Sequence, residues 1–169
     1  MKKYKKIIIL GGSGSGKSTL ANRISIYFNC PVYHLDNLFL NPDWNPKDKD
    51  KWEEVSKEFL LKDTAVVEGN YTSALQVRIN WADLIIYINT PTYIKLYRIF
   101  KRYFKIKLGL YKRLGRPEES KNVITWSFFI WVLNWDKTHR KVMLDLLKSV
   151  KDKKVLIISN PRELNIKDF

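Results

Sequence analysis

Lys5-Lys6-Ile7-Ile8-Ile9-Leu10-Gly11-Gly12-Ser13-Gly14-Ser15-Gly16-Lys17-Ser18-Thr19 joins a short apolar run to a glycine-rich stretch and then to a helical pattern reaching about Phe28. Glycine, four residues, then Gly-Lys-Ser is the spacing of a phosphate-binding loop of Walker A type. A strand before it and a helix after it are the context this motif requires. Each residue type has a task. Glycines allow the tight turn in which several backbone N–H groups converge on phosphate oxygens. The helix that starts at Lys17 directs its positive end at the same anion. Lys17 adds a mobile charge near the β and γ phosphates, and the Ser18 hydroxyl is placed to ligate the Mg²⁺ that bridges them. ATP and Mg²⁺ are the expected cofactors, held by Gly12, Ser13, Gly14, Ser15, Gly16, Lys17, Ser18 and Thr19.

Outward from this loop, short apolar runs alternate with helical patterns. Strands are expected at Tyr4 to Leu10, Val32 to Leu35, Ala65 to Glu68, Leu84 to Ile88 and Val155 to Ser159. That alternation predicts a three-layer α/β domain on a parallel sheet, in which ligands bind beyond the carboxyl ends of the strands. Asp36, Glu68-Gly69-Asn70 and Thr90-Pro91 fall at such ends. Between the second and third strands, Asn41-Pro42-Asp43-Trp44-Asn45-Pro46 reads as irregular, and a helix is expected from about Asp50, burying Trp52, Val55, Phe59 and Leu60.

At 169 residues and 45% hydrophobic content, the whole chain is expected to fold as one globular domain. No apolar run approaches the roughly 20 residues that cross a bilayer, so no membrane partner is expected. A lone cysteine, Cys30, allows no internal disulfide, which suits the cytoplasm. The net charge is +14, and nine of the 31 basic residues lie between Lys95 and Arg116, where no acidic residue occurs. Such a segment is compatible with a solvated surface, a nucleic-acid patch or a phosphate-clamping lid.

The loop at 11–19, His34-Leu35-Asp36-Asn37-Leu38-Phe39, Val66-Val67-Glu68-Gly69-Asn70-Tyr71, Arg78 with Ala82-Asp83, and Tyr97-Arg98 with Lys101-Arg102 together resemble the bacterial DNA topology modulation proteins of FlaR type, in the adenylate-kinase-like branch of P-loop kinases. The resemblance spans nearly the whole chain. It implies a five-stranded sheet of order 2-3-1-4-5, an acceptor-side insertion at about 36–62, a lid at about 105–120, and ATP as phosphoryl donor. The chain departs from adenylate kinases proper in carrying Ser13 where they usually have proline, and Glu68-Gly69-Asn70-Tyr71-Thr72 where they have Asp-Gly-Phe-Pro-Arg. Nor does the lid segment carry a Cys/His set for zinc.

Phosphoryl transfer asks for positioned charge, namely carboxylates for metal or base and arginines for the moving group. Asp36 is a candidate for either carboxylate role, as metal-side acid or as base toward an acceptor hydroxyl; the alternative is a helix cap or turn residue. Glu68 is a magnesium-side acid or a surface charge, and His34 shares the face of Asp36 only if the strand continues regularly, otherwise being a packed histidine. Arg78 is expected to face an acceptor phosphate or carboxylate, unless it pairs with Asp83. Asp36, Glu68 and Arg78 thus form the expected acceptor side.

Beyond the fourth strand, Thr90 should cap a helix with Pro91 in its first turn. Lys95, Arg98, Arg102 and Lys105 then share one face, with Ile99, Phe100, Tyr103 and Phe104 on the other. Arg98, Arg102 and Arg113, with Arg116, are the expected cations for the transferring phosphoryl group; a solvated basic face is the alternative. The run from Val123 to Trp135 reads as a helix that is buried or that mediates self-association into a dimer, and Arg140 is a further phosphate candidate.

The function expected is transfer of the ATP γ-phosphoryl group to a nucleotide or other small acceptor. The alternative is an ATP-binding, DNA-interacting protein that modulates DNA topology through the basic segment, with non-specific nucleic-acid binding following from charge alone. No helix-turn-helix, zinc-finger or RNP pattern is present in the sequence.

Overall fold

Ile7, Ile8, Ile9 and Leu10 leave no polar position on either side of a strand, a pattern that fits only the middle of a sheet covered on both faces. In the computed structural model, which describes residues 4–39, 57–71, 75–110 and 125–168, that is where they lie. Strand β1 (Lys6–Gly11) is central in a five-stranded sheet of order β2-β3-β1-β4-β5, all pairs parallel. The others are β2 (Val32–His34), β3 (Ala65–Glu68), β4 (Leu84–Ile88) and β5 (Lys154–Ile158). The expected fold class and strand order are therefore observed, with strand ends within two residues of expectation.

Alternation along β1 assigns the two hydrophobic layers. Ile7 and Ile9 pack with α1 (Lys17–Phe28) through Leu20, Ala21, Ile24 and Phe28. Ile8 and Leu10 face the other layer, where α3 (Leu75–Trp81) contributes Leu75 and Ile79 and α6 (Lys141–Ser149) contributes Met143 and Leu147. Phe59, in the helical residues 57–60, is fully buried there as expected, while Trp52 and Val55 fall outside the described residues.

Helix α1 ends where Asn29 adopts a left-handed conformation (φ 47°), and the Cys30 N–H returns to the Ser25 carbonyl at 3.1 Å. This six-residue closure satisfies the terminal carbonyls and, with Pro31 following, turns the chain into β2. β2 then stops at His34, because α2 (Leu35–Phe39) begins at the next residue.

Helix α4 (Thr92–Lys107) corrects one expectation. Thr90 does not cap it; its hydroxyl instead donates to the Ser159 carbonyl at 2.9 Å and, more weakly, to the Ser15 carbonyl at 3.5 Å. Its inner stripe carries Lys95 and Ile99, both buried, whereas Phe100 and Phe104 are 40% and 59% exposed. Lys95 Nζ pairs at 2.6 Å with Asp136 Oδ1, so the cation enters the interior with its counter-charge already in place.

Helix α5 (Trp126–Trp135), capped by the Thr125 hydroxyl, buries only Val132 and Trp135, while Trp126 stays 75% exposed. Burial around its circumference is thus not what the chain adopts, since α5 meets the rest of the described molecule along one stripe. A turn of π-helix (Asp136–Arg140) links α5 to α6. Among the described residues, no helix is long and apolar enough to cross a membrane.

Ile8 touches the packed layer on one side and its neighbours in the sheet on both others, with no exposed surface. Ile8→Ala should cost about 2–5 kcal/mol of folding free energy, read as a lowered urea midpoint at unchanged slope.

Candidate functional site

The glycine-rich loop leaves β1 at the carboxyl edge of the sheet and is fixed there by neighbours on every side. Asn70, just past β3, holds both main-chain groups of Gly11. Its Oδ1 accepts from the Gly11 N–H at 2.9 Å, and its Nδ2 donates to the Gly11 carbonyl at 2.6 Å. On the outer side, Arg98 Nη1 donates to the Ser15 carbonyl at 3.0 Å. Two glycines are required by close approach as well as by conformation. At Gly14 (φ +80°) a Cβ would lie 2.7 Å from the Lys95 carbonyl, and at Gly16 (φ +100°) it would lie 2.9 Å from the Pro161 ring.

Gly12 rests on the buried pair described above, with Lys95 Nζ only 3.0 Å from where a Cβ would stand and Trp135 close beside it. Lys17 curls back, its Nζ 3.3 Å from the Gly12 carbonyl. Gly16 precedes the first helical residue, so α1 directs its amino terminus into the cradle. Of the other loop residues, Ser15 is buried and Thr19 exposed.

Beside the loop stands Glu68, 3% exposed at the end of β3. Its Oε1 accepts from the Ser18 hydroxyl at 2.8 Å and lies 2.8 Å from His34 Nδ1. Burial alone would raise the carboxyl pKa. The His34 hydrogen bond, the Lys17 and His34 charges and the Ser18 hydrogen bond outweigh it and hold Glu68 below the ordinary carboxylate range. Ser18 and Glu68 therefore present hard oxygen donors at one corner of an anion cradle, the donor chemistry that suits Mg²⁺ shared with phosphates. Among the described residues, no group of three or more His, Cys, Asp and Glu side chains could hold a metal by itself. That fits a metal bound mainly by a ligand's phosphates, with one or two protein contacts.

The remaining expected residues fall in different places. Asp36 lies in the first turn of α2, two residues past His34. The strand has ended by then, and the two-residue alternation that would have put both on one face does not apply. Arg102 is half-buried one turn beyond Arg98 on α4. Arg113 and Arg116, with most of the expected lid and of the 36–62 insertion, lie outside the described residues.

Arg78 corrects the sequence most. It is fully buried, and its guanidinium donates through Nη1 to the Gly69 carbonyl at 2.8 Å and through Nη2 to the Tyr71 carbonyl. Burial pulls its pKa down to about 10, which leaves it a cation at neutral pH. Asp83 is not its partner but accepts from the main-chain N–H groups of Lys5 and Lys6 at 3.1 and 3.0 Å. Arg78 thus anchors the segment that carries Asn70, rather than presenting an open cationic face.

Asn70 and His34 are the side chains whose parts in the site the residue types alone did not disclose. The only signal was Asn70's place two residues after a strand-end glutamate.

A parallel sheet with the phosphate-loop strand at its centre defines the P-loop kinase fold. A shikimate kinase from Acinetobacter baumannii, solved with shikimate, aligns over 98% of this chain and 90% of its own with a TM-score of 0.57 at 13% identity. A gluconokinase from Sinorhizobium meliloti 1021 aligns over 86% of this chain and 98% of its own with a TM-score of 0.47 at 14% identity. At such identities the likeness is one of fold. No family model matches the chain. A tRNA dimethylallyltransferase of Helicobacter hepaticus is 56% identical over 34 residues, which amount to 20% of this chain and 11% of that protein.

Arg78→Met should cost roughly 2–4 kcal/mol of stability, because two carbonyls near the site lose a charged donor. Urea denaturation measures it; a change within about 0.5 kcal/mol would mean that the anchor contributes nothing.

Proposed function

We propose that this chain is an ATP-dependent phosphotransferase that moves the γ-phosphoryl group to a nucleotide or other small hydroxyl-bearing acceptor. The observation that carries the proposal is the Ser18–Glu68 hydrogen bond at the corner of a glycine cradle that also holds Lys17. A loop used only as a structural turn would have no reason to keep a buried ionised carboxylate beside its serine.

In this reading the N–H groups from Gly12 to Thr19 bind the β and γ phosphates, and Lys17 moves from the Gly12 carbonyl to the phosphate oxygens. Bound Mg²⁺ would supply charge neutralisation of those oxygens, held by Ser18 and, directly or through water, by Glu68. Arg98 flanks the cradle from α4, and Arg102 and Arg113 complete the proposed cationic set. Asp36 accepts the proton of the acceptor hydroxyl as the new P–O bond forms and the bond to the β-phosphate bridging oxygen breaks, leaving ADP. The fold shared with a shikimate kinase solved with shikimate supports a small-molecule acceptor.

The FlaR-type resemblance belongs to the same reading, as does a single domain over residues 1–169. The favouring observation for the DNA-interacting alternative is the +14 charge, which predicts salt-sensitive, sequence-independent DNA binding whether or not it serves a function.

Lys17→Ala should weaken ATP by about 1.5–3 kcal/mol, roughly ten- to a hundredfold in Kd, with the loop otherwise intact. Isothermal calorimetry measures this, and equal affinity for both proteins would sink the proposal. A coupled assay for ADP release across nucleosides, nucleotides, sugars and hydroxy acids then identifies the acceptor.

A further inference from the structure

Four side chains close a ring behind the phosphate loop. Ser18 and Asn22 stand four residues apart on one face of α1. His34 and Glu68 are register partners on the neighbouring strands β2 and β3. Ser18 donates to Glu68 Oε1, His34 Nδ1 reaches the same oxygen, and His34 Nε2 lies 3.3 Å from Asn22 Oδ1, which returns the ring to α1. The His34 and Glu68 side chains are 11% and 4% exposed, so water does not compete freely for these contacts.

Two donors on one oxygen have a geometric consequence. A carboxylate held only by Ser18 could rotate about its terminal bond and swing Oε1 toward the metal corner, lengthening the serine contact. A second donor on the same oxygen, from an imidazole on β2 whose Nε2 lies 3.3 Å from Asn22 Oδ1, restricts that rotation. With Oε1 occupied by both donors, the second carboxylate oxygen of Glu68 and the Ser18 lone pairs are what the pair has to offer a cation. Outer groups that orient a metal-binding carboxylate in this way are worth about ten- to a hundredfold in metal affinity.

We infer that His34, steadied by Asn22, is a positioning residue that fixes the Glu68 carboxylate for the Mg²⁺ of bound Mg²⁺–ATP, resting on the nucleotide-binding reading above. A histidine that merely filled space between β2 and α1 would have no need of Nδ1 at hydrogen-bond distance from the carboxylate.

The test separates donor from volume. Asn at position 34 places its amide N–H where Nδ1 stands and is smaller, whereas Leu keeps the volume and has no donor. ATP is titrated calorimetrically into each protein in excess Mg²⁺ and again in EDTA, and the quantity read is the ratio of the two affinities. His34→Leu should lower the Mg²⁺-dependent gain about tenfold while leaving affinity in EDTA unchanged, and His34→Asn should keep the gain within about twofold of wild type. Asn22→Ala should give a smaller loss of the same kind. If His34→Leu keeps the full gain, or if His34→Asn loses as much as His34→Leu, His34 does not position Glu68. If wild type binds ATP but Mg²⁺ adds nothing, the inference falls while the phosphate loop stands. If wild type binds no ATP, both fall together.

Discussion

A carboxylate that is almost wholly enclosed is the constraint around which this site is built. Taking an isolated ion out of water costs several kcal/mol even after relaxation, and a lone Glu68 would answer by taking up a proton. It does not, because Lys17 supplies opposite charge while Ser18 and His34 supply hydrogen bonds. Those three come from α1 and β2, so the charge can persist only where β2, β3 and the start of α1 are all correctly docked. Order at the loop is thus a condition of the fold's electrostatics. Moving the loop away would leave a buried negative charge without its partners.

The same logic operates on the other side of the loop with the signs reversed. Lys95 is 2% exposed and is paired there with Asp136, which also accepts from the Thr92 hydroxyl. Asp136 opens the π-helical turn after α5, and Trp135 immediately before it packs against Gly12. π turns inside helices are uncommon. Here the turn begins directly after Trp135, whose ring stacks on that of His139 in the turn at 4.3 Å between centroids.

What could be read from the chain follows from how local each signal is. The loop, its strand and α1 are set by contiguous residues, and the β3 and β4 strands are short apolar runs whose bounds agree with the structure. The strand order was not in the pattern itself; it came with the family resemblance, since periodicity says which residues face a core but not which strands are neighbours. Asp36 was expected just past the second strand and lies there, but the helix that takes it up was not legible, because β2 is only three residues long and gives way to α2 with no breaker residue between. Arg78 and Lys95 were misjudged for one common reason. A charged side chain reads from sequence as a surface or ligand group, and only partners that the fold supplies, the Gly69 and Tyr71 carbonyls or Asp136, make its burial tolerable.

The polarity of the loop itself follows from those partners. Its carbonyls at Gly11, Gly12 and Ser15 accept from Asn70, Lys17 and Arg98 respectively, all of them donors brought from outside the turn or folded back onto it. A peptide group whose oxygen is tied down on the outside presents its N–H to the inside, and successive groups so oriented make a concave positive nest. Donors surrounding the loop therefore do more than hold it still. They set the direction of its dipoles, and of the three contacts the one from Lys17 to Gly12, at 3.3 Å, is the longest.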